Sequence, residues 1–258
     1  MTPREPDPST PRPILEICVD NIDDFERACG AGADRIELCS ALVDEGLTPC
    51  EDLLEHAMTA RASHGVDIVA MLRTRPGPFT CLEGDLDSIA RDLARLQADR
   101  LHGHSVPSLV FGYLGSDHSI DEIAIDFVCS RCGDRELVFH RAFDQIPETS
   151  QSASIDFLVD RGFSRILTAG ADGRAFEERA LAFERLVRRA RGRIEIVACG
   201  GLRASHVSKL IACGVRQFHA SARPRDTNGR LDGPLDEKLV RDMRAALDET
   251  RRGTTESA

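Results

Sequence analysis

The sequence predicts an α/β protein with a single domain, a (β/α)8 TIM barrel in which eight parallel strands alternate with helices. Two observations lead to this prediction. Short β-branched runs alternate with longer amphipathic segments through nearly the whole chain, which is the pattern of βαβ units in a parallel sheet. Glycine also recurs directly before predicted strands, in Gly32-Ala33-Asp34, Gly162-Phe163-Ser164 and Gly214-Val215-Arg216, as expected of short turns repeated at one end of a barrel.

The strands are predicted where short runs of apolar and β-branched residues occur. In chain order these runs are Ile14–Val19, Arg35–Ser40, Asp67–Arg73, Leu109–Leu114, Glu136–Phe143, Arg165–Ala169, Ile194–Cys199 and Gln217–Ala222. Between them, apolar residues three and four apart predict helices, as in the series Leu86, Ile89 and Leu93. A final helix is predicted after Pro234.

A doubly wound open sheet is the alternative fold. That fold usually carries Gly-x-Gly-x-x-Gly after its first strand, whereas this chain has Cys18-Val19-Asp20-Asn21 there, so the barrel is favoured. Residues 14–250 are expected to form it. Residues 1–13, which include five prolines, are expected to be a disordered N-terminal extension, and the small, polar residues 251–258 a flexible tail.

Composition narrows the class of partner. The formal net charge of -10 opposes binding to nucleic acid or to an anionic membrane, because both need a basic surface. The chain has no apolar run approaching the roughly 18 residues of a membrane span and no signal-peptide pattern, which predicts a cytoplasmic protein. Its nine cysteines are compatible with free, buried thiols in a reducing compartment. A metal ion or an anionic small molecule is the expected partner.

The first two strands carry the same motif, Glu16-Ile17-Cys18 and Glu37-Leu38-Cys39. Alternate residues of a strand share a face, so neighbouring strands would bring two carboxylates and two thiols together. Two thiolates suit the soft ion Cu(I), whereas Zn(II) usually takes four ligands. The alternative is ordinary packing, because buried cysteines are common and adjacent carboxylates raise the pKa of a thiol.

Further polar residues are expected at the carboxyl ends of the strands, where barrel proteins place their sites. Paired guanidinium groups and glycine-rich turns there suit a carboxylate or phosphate. The candidate anion-binding residues are Arg73, Arg75, Arg141, Gly170, Gly200, Gly201 and Ser221. Solvated loop arginines and simple turn glycines are the alternative interpretation.

The fifth predicted strand brings an imidazole, a guanidinium and a carboxylate together in His140, Arg141 and Asp144. An imidazole near a carboxylate suits general acid/base chemistry, with Glu16, Glu37 or Asp144 as the partner of His140. The alternative is a structural Arg141–Asp144 ion pair beside a hydrogen-bonded histidine.

Five segments of the chain resemble the CutC family. They are Leu15–Val19, Gly32–Ser40, Gly46–Pro49, Phe139–Asp144 and His219–Ser221. The resemblance implies a cytoplasmic (β/α)8 barrel, often a homo-oligomer, that takes part in copper homeostasis and binds Cu(I), with Cys18 and Cys39 matching the family's proposed copper-binding cysteines. The chain departs from the family at Glu45, where a glycine is usual, and at Pro76–Cys81, where relatives carry an acidic residue and an aromatic.

Two functional hypotheses follow from these residues. One is a copper-handling protein that holds Cu(I) between Cys18 and Cys39. The other is a barrel enzyme of unknown reaction, acting on an anionic small molecule, a class that includes phosphorylated compounds. The first requires the thiols and tolerates changes at Arg73 and His140, whereas the second requires the arginines and the histidine.

Overall fold

Eight parallel strands close into a barrel in the order in which they occur in the chain, as the sequence predicts. The computed structural model describes residues 12–98, 105–171, 173–224, 227, 231 and 233–253. The strands are β1 Ile14–Val19, β2 Arg35–Leu38, β3 Asp67–Met71, β4 Ser108–Phe111, β5 Glu136–Phe139, β6 Phe163–Thr168, β7 Glu195–Ala198 and β8 Gln217–Ala220. β8 pairs with β1 and completes the ring.

An α-helix follows each strand. The helices are α1 Ile22–Gly30, α2 Glu51–His64, α3 Asp85–Gln97, α4 Glu122–Cys129, α5 Glu148–Asp160, α6 Phe176–Ala190, α7 Ala204–Ala212 and α8 Glu237–Gly253. Side-chain caps fix two of the starts, because Asn21 accepts from the Asp24 N–H and Asp121 from the Ala124 N–H. Within the described ranges, no helix is both long and apolar enough to cross a bilayer.

The two faces of the strands bury different cores. Leu15, Ile17 and Ile36 belong to the large core between strands and helices. Residues at alternate positions, including Cys18, Cys39 and Val110, form a separate apolar cluster drawn from β1 to β5 and the segments that follow them. This alternation places the Glu-x-Cys motifs on the inner face of the barrel, so their side chains meet one another rather than the helices.

Several strands end earlier than the sequence predicts. The largest difference is in β5, which stops at Phe139, and Arg141–Gln145 form a 3-10 helix. The turn begins at His140, whose Nδ1 accepts from the Ala142 N–H and whose carbonyl accepts from the Phe143 N–H. Local hydrogen bonds of this kind compete with the strand ladder, and they aim His140 across the carboxyl end of the barrel.

The described ends of the chain meet beside β1. Arg12 pairs with Asp34 and with Asp248 of α8. The helix α8 continues through the first residues of the predicted tail to Gly253. Residues 1–11 and 254–258, which hold most of the predicted extension and tail, lie outside the described residues.

Candidate functional site

A cavity of about 250 Å³ opens at the carboxyl ends of the strands. Its lining comes from the inner faces of the strands and from the loops after β2, β3, β5, β7 and β8. Among the lining residues are Cys18, Glu37, Glu45, Met71, Phe79, His140, Arg141, Cys199, Gly200, Gly201, His219 and Ser221. The cavity therefore joins residues of both sequence-based hypotheses in one place.

Three buried side chains at this cavity form a group with the chemistry of metal ligands. One ligand atom from each of Cys18, Glu37 and His219 lies within 4.8 Å of the others. The strand register explains the group, because Cys18 of β1 is paired with Glu37 of β2, and His219 of β8 is paired with Glu16, two residues before Cys18. Inner-face residues of three adjacent strands thus converge.

His219 lies between two buried carboxylates. Its Nδ1 is 2.6 Å from Glu16 Oε1 and its Nε2 is 3.9 Å from Glu37 Oε2. Burial alone would lower the pKa of His219, but Glu37, Cys18 and Glu16 together raise it well above the usual value. Because opposite charges at this distance favour the charged form, the imidazole is protonated at neutral pH.

Glu16 is held by a second buried cation. The Arg35 Nε–H donates to Glu16 Oε2, and another Arg35 nitrogen donates to Gln217 at 2.7 Å. Burial would raise the pKa of Glu16, but Arg35 and the hydrogen bond from His219 lower it well below the usual range. Glu16 is therefore an ionised link between Arg35 and His219.

Glu37 is the carboxylate next to both predicted thiol ligands. Its Oε2 accepts from Cys39 Sγ at 3.5 Å, whereas its buried Oε1 has no hydrogen-bond partner. Burial is the main cause that raises the pKa of both Glu37 and Cys39. Cys39 lies outside the three-residue group and contacts it through Glu37.

His140 reaches the same cavity as a neutral imidazole. Burial first, and then the charge of Arg73, lower its pKa to about 3. Because Nδ1 accepts the Ala142 N–H, we assign the ring proton to Nε2. Phe79 packs against the ring in a tilted arrangement with 4.6 Å between centroids, and a Cβ at Gly112 would come within 2.7 Å of Nδ1, so the packing fixes the ring.

Asp144 joins β5 to β6. Its Oδ1 accepts from the Thr168 hydroxyl and the Ala169 N–H, and its Oδ2 accepts from Arg141 Nε at 3.1 Å. Burial raises the pKa of Asp144 despite these partners. The Arg141–Asp144 ion pair of the structural interpretation is present, and Arg141 also lines the cavity.

Arg73 and Arg75 contact loops of the protein itself. Arg73 donates to the carbonyls of Asp44, Gly46 and Gly77 at 2.7–2.9 Å. Arg75 pairs with Asp85 and donates to the Thr80 carbonyl. These bonds hold the loops after β2 and β3 together, and anion binding by the two arginines stays a prediction.

The predicted glycines serve two different purposes. Gly170 has φ +82°, and a Cβ there would come within 2.9 Å of the Phe183 ring, so this glycine allows close packing. Gly200 and Gly201 also have positive φ and line the cavity, as does Ser221. A Cβ at Gly201 would meet nothing within 4 Å, so that wall of the cavity is open backbone.

Two residues of the site had no role in either sequence-based hypothesis, although the sequence places one of them, His219, at the mouth of the barrel. His219 and Arg35 are the cationic partners of Glu16 and Glu37. The signal for Arg35 was its position two residues before Glu37, on the same face of β2. The signal for His219 was its place in the predicted last strand, which neighbours β1 only in a closed barrel.

Comparison with known proteins decides the family. The sequence model of the CutC family matches residues 13–224. The chain belongs to the CutC family. It is 32% identical to the human copper homeostasis protein cutC homolog over 217 residues, which cover 84% of this chain and 76% of that protein. A CutC family protein of Caulobacter vibrioides is 34% identical over 216 residues, covering 83% and 82% of the two chains.

Solved structures agree with the family and the fold. The crystal structure of a CutC protein from Streptococcus agalactiae superimposes with a TM-score of 0.74 at 34% identity, and covers 81% of this chain and 98% of that one. A structure described as native KDPGal has a TM-score of 0.55 at 12% identity and covers 94% of this chain. The second likeness shows the barrel fold alone.

Proposed function

We propose that this CutC-family chain binds one Cu(I) ion as cargo at the mouth of the barrel in the cytoplasm, with Cys18 and His219 as its principal ligands. The observation that carries the proposal is the buried group of Cys18, Glu37 and His219, whose ligand atoms lie within 4.8 Å of one another at the cavity. The names of the relatives, copper homeostasis proteins among them, support copper as the cargo.

The donor atoms fit a soft, monovalent ion. Thiolate and imidazole both bind copper well, and thiolate selects Cu(I) over hard cations. The Met71 thioether and the Cys199 thiol line the same cavity and add soft atoms around it. A structural zinc site would need four ligands, and the group has three.

The charge balance also favours a monovalent ion. Without metal, one imidazolium charge on His219 lies between the buried carboxyl groups of Glu16 and Glu37. A metal binds deprotonated thiolate and neutral imidazole, so Cu(I) with the Cys18 thiolate and a neutral His219 forms a group of zero net charge. A divalent ion would add a charge to a buried site.

Cys39 is the second thiolate ligand that the sequence predicts. Its sulfur contacts Glu37, and we propose that this contact holds the carboxyl group beside Cys18 and His219. The variant Cys39→Ser separates the two roles: loss of Cu(I) binding as complete as in Cys18→Ser would assign Cys39 to the ion itself, and a smaller loss would assign it to positioning Glu37.

The ligand set is tested by X-ray absorption at the copper edge on anaerobically loaded protein. The proposal predicts a first shell that contains both sulfur and imidazole nitrogen, and a His219→Asn variant that lacks the imidazole signal. If the first coordination shell of copper in the wild-type protein contained sulfur alone, His219 would not be a copper ligand.

A second candidate function is the barrel enzyme. Cys18, His219 and Glu16 form a row of thiol, imidazole and carboxylate, and such a row activates cysteine nucleophiles in other proteins. His219 suits proton transfer better than His140, whose pKa of about 3 leaves it neutral. This candidate predicts that Cys18 of the metal-free protein is alkylated by iodoacetamide faster than the exposed Cys50, and that Glu16→Gln slows the reaction; equal rates would contradict it.

A further inference from the structure

The cavity has two polar side-chain atoms to which no described protein group is hydrogen-bonded, and one of them, Glu37 Oε1, is fully buried. Glu37 Oε1 has no hydrogen-bond partner, and within the described residues neither does the Nε2–H that we assign to His140. Glu37 and His140 are each 3% exposed, and both line the cavity. A donor at the wall of a cavity is available to a ligand, so a bound molecule with an acceptor oxygen would complete the hydrogen bonding of the His140 Nε2–H.

The space is larger than an ion needs. The cavity has a volume of about 250 Å³, whereas one water molecule occupies about 30 Å³ in the liquid. A single Cu(I) ion beside Cys18 and His219 would leave most of this volume unfilled. The rest has room for a small organic molecule of several non-hydrogen atoms.

The wall away from Cys18 has the chemistry of a carboxylate site. Arg141, which pairs with Asp144 and lies 3.8 Å from the cavity-lining Glu45, brings a half-buried guanidinium group to it, and Gly200 and Gly201 add no side chains. A guanidinium group and an N–H donor such as that of His140 are suited to the oxygens of a carboxylate. Because β5 lies opposite β1 in the closed ring, the cavity has Cys18 on one side and the Arg141 guanidinium group on the other.

We infer that the cavity binds Cu(I) together with a small thiol that bears a carboxylate, with the thiol sulfur on copper and the carboxylate against His140 and Arg141. This inference rests on the proposed copper site. The thiol supplies the second sulfur that Cu(I) prefers, because the three-residue group contains only one thiol, that of Cys18.

The binding step is a ligand exchange that balances without a change of oxidation state. A complex of Cu(I) with two thiolates, [Cu(SR)₂]⁻, meets Cys18 and His219. The bonds from copper to Cys18 Sγ and to the His219 imidazole form, and one copper–thiolate bond breaks. The departing thiolate takes a proton from the site and leaves as RSH, and any remaining proton of Cys18 or His219 passes to solvent. Copper stays Cu(I), and the second thiolate remains bound with its carboxylate in the cavity.

The test compares two thiols that differ only in their far end. Mercaptopropionate carries a carboxylate, and mercaptopropanol of the same chain length carries a hydroxyl group. Anaerobic Cu(I) is supplied to the full chain with each thiol and as its acetonitrile complex, and bound copper is measured by chelator competition. Native mass spectrometry then counts copper and thiol on the protein.

The expected result is a complex of one copper ion and one mercaptopropionate per chain. Copper should bind about ten-fold tighter with mercaptopropionate than with mercaptopropanol, because the carboxylate adds one charge-assisted hydrogen bond. Arg141→Gln and His140→Asn are expected to bring this preference below about two-fold. Asn retains an acceptor for the Ala142 N–H, and the exposed Arg174→Gln serves as the control that keeps the preference.

Two other results have separate meanings. Copper that binds equally well with both thiols, or without any organic molecule on the protein, would overturn this inference and leave the copper site standing. If the protein bound copper from none of the three sources, the two thiol complexes and the acetonitrile complex, the proposed function itself would be overturned.

Discussion

At the scale of single residues, the site depends on charges that the barrel interior does not screen. His219 is kept protonated by the carboxyl groups on either side of it, whereas His140, close to Arg73 and Arg141, is kept neutral. Burial lowers the pKa of both rings; at His219 the carboxyl groups of Glu37 and Glu16 and the thiol of Cys18 override it, whereas at His140 Arg73 and Arg141 add to it. We therefore propose His219 as a ligand of the copper ion and His140 as a hydrogen-bond donor.

The pKa of His140 makes a stability prediction. Its folded-state pKa is about 3, lowered from the usual 6.5, so the folded protein resists protonation at this ring. The stability that the neutral ring contributes is complete above about pH 6.5 and is lost as the pH falls toward 3. Between pH 7 and 4.5 the wild-type free energy of unfolding should fall by about 2–3 kcal/mol more than that of His140→Asn.

Urea unfolding of both proteins at the two pH values measures this difference. Asn does not titrate in the range, so the variant supplies the contribution of all other groups. Parallel pH dependences for the two proteins would mean that the ring titrates with an ordinary pKa, and His140 would lose its assigned role as a neutral donor.

At the scale of elements, the inner faces of the strands were predictable and their ends were not. The alternation in Glu16-Ile17-Cys18 and Glu37-Leu38-Cys39 correctly places the polar residues inside. The end of β5 was predicted four residues too late, because Phe139–Phe143 is apolar enough for a strand while the His140–Ala142 hydrogen bond turns the chain. Such local bonds leave little trace in the apolar pattern.

The loops at the mouth make a second element-scale prediction. Arg73 donates to three carbonyls in the loops after β2 and β3. The planar guanidinium group of arginine can donate to several separated carbonyls, whereas the compact ammonium group of lysine cannot reach all three. Arg73→Lys should therefore lower the free energy of unfolding by about 2–3 kcal/mol and loosen both loops.

Hydrogen exchange measures the loosening directly. The amides of Asp44, Gly46 and Gly77 should exchange faster in Arg73→Lys, while strand amides keep their protection. Arg91→Lys, which changes an exposed arginine bonded to Ser88, is the matched control. Unchanged exchange in the loops would show that the three hydrogen bonds do not hold them.

At the scale of the whole molecule, barrel closure creates the site. His219 is 203 residues from Glu16 and becomes its neighbour only because β8 pairs with β1. The sequence therefore predicts the β1 and β2 half of the site from the spacing within two adjacent motifs. The β8 half depends on closure and register, and short-range patterns do not specify either of them.

Asp34 connects the last helix of the barrel to its first strand. It accepts from Arg244 of α8 at 2.6 Å, from the Leu15 N–H of β1 at 2.7 Å, and from Arg12. Because Arg244 is buried, Asp34→Ala leaves its charge without that partner and should cost about 3–5 kcal/mol of unfolding free energy. Asp248→Ala, at a more exposed pair with the same arginine, should cost about 1 kcal/mol or less.

Chemical denaturation of both variants checks this ranking. Each variant is expected to unfold in a single transition, because the eight strands form one closed barrel without a part that folds separately. Equal small losses in the two variants would mean that α8 is held on the barrel by apolar packing alone.

The central claim is that Cys18 holds Cu(I) at the mouth of the barrel. Its most direct test is an anaerobic Cu(I) titration of the reduced protein against a competing chelator, run on wild type, Cys18→Ser and Cys50→Ser. Cys50 is an exposed thiol and serves as the control. We predict one site per chain in wild type and Cys50→Ser, and in Cys18→Ser a loss larger than the roughly 10–100-fold that outer-shell changes cause. Binding of the same affinity and stoichiometry in Cys18→Ser would contradict the account.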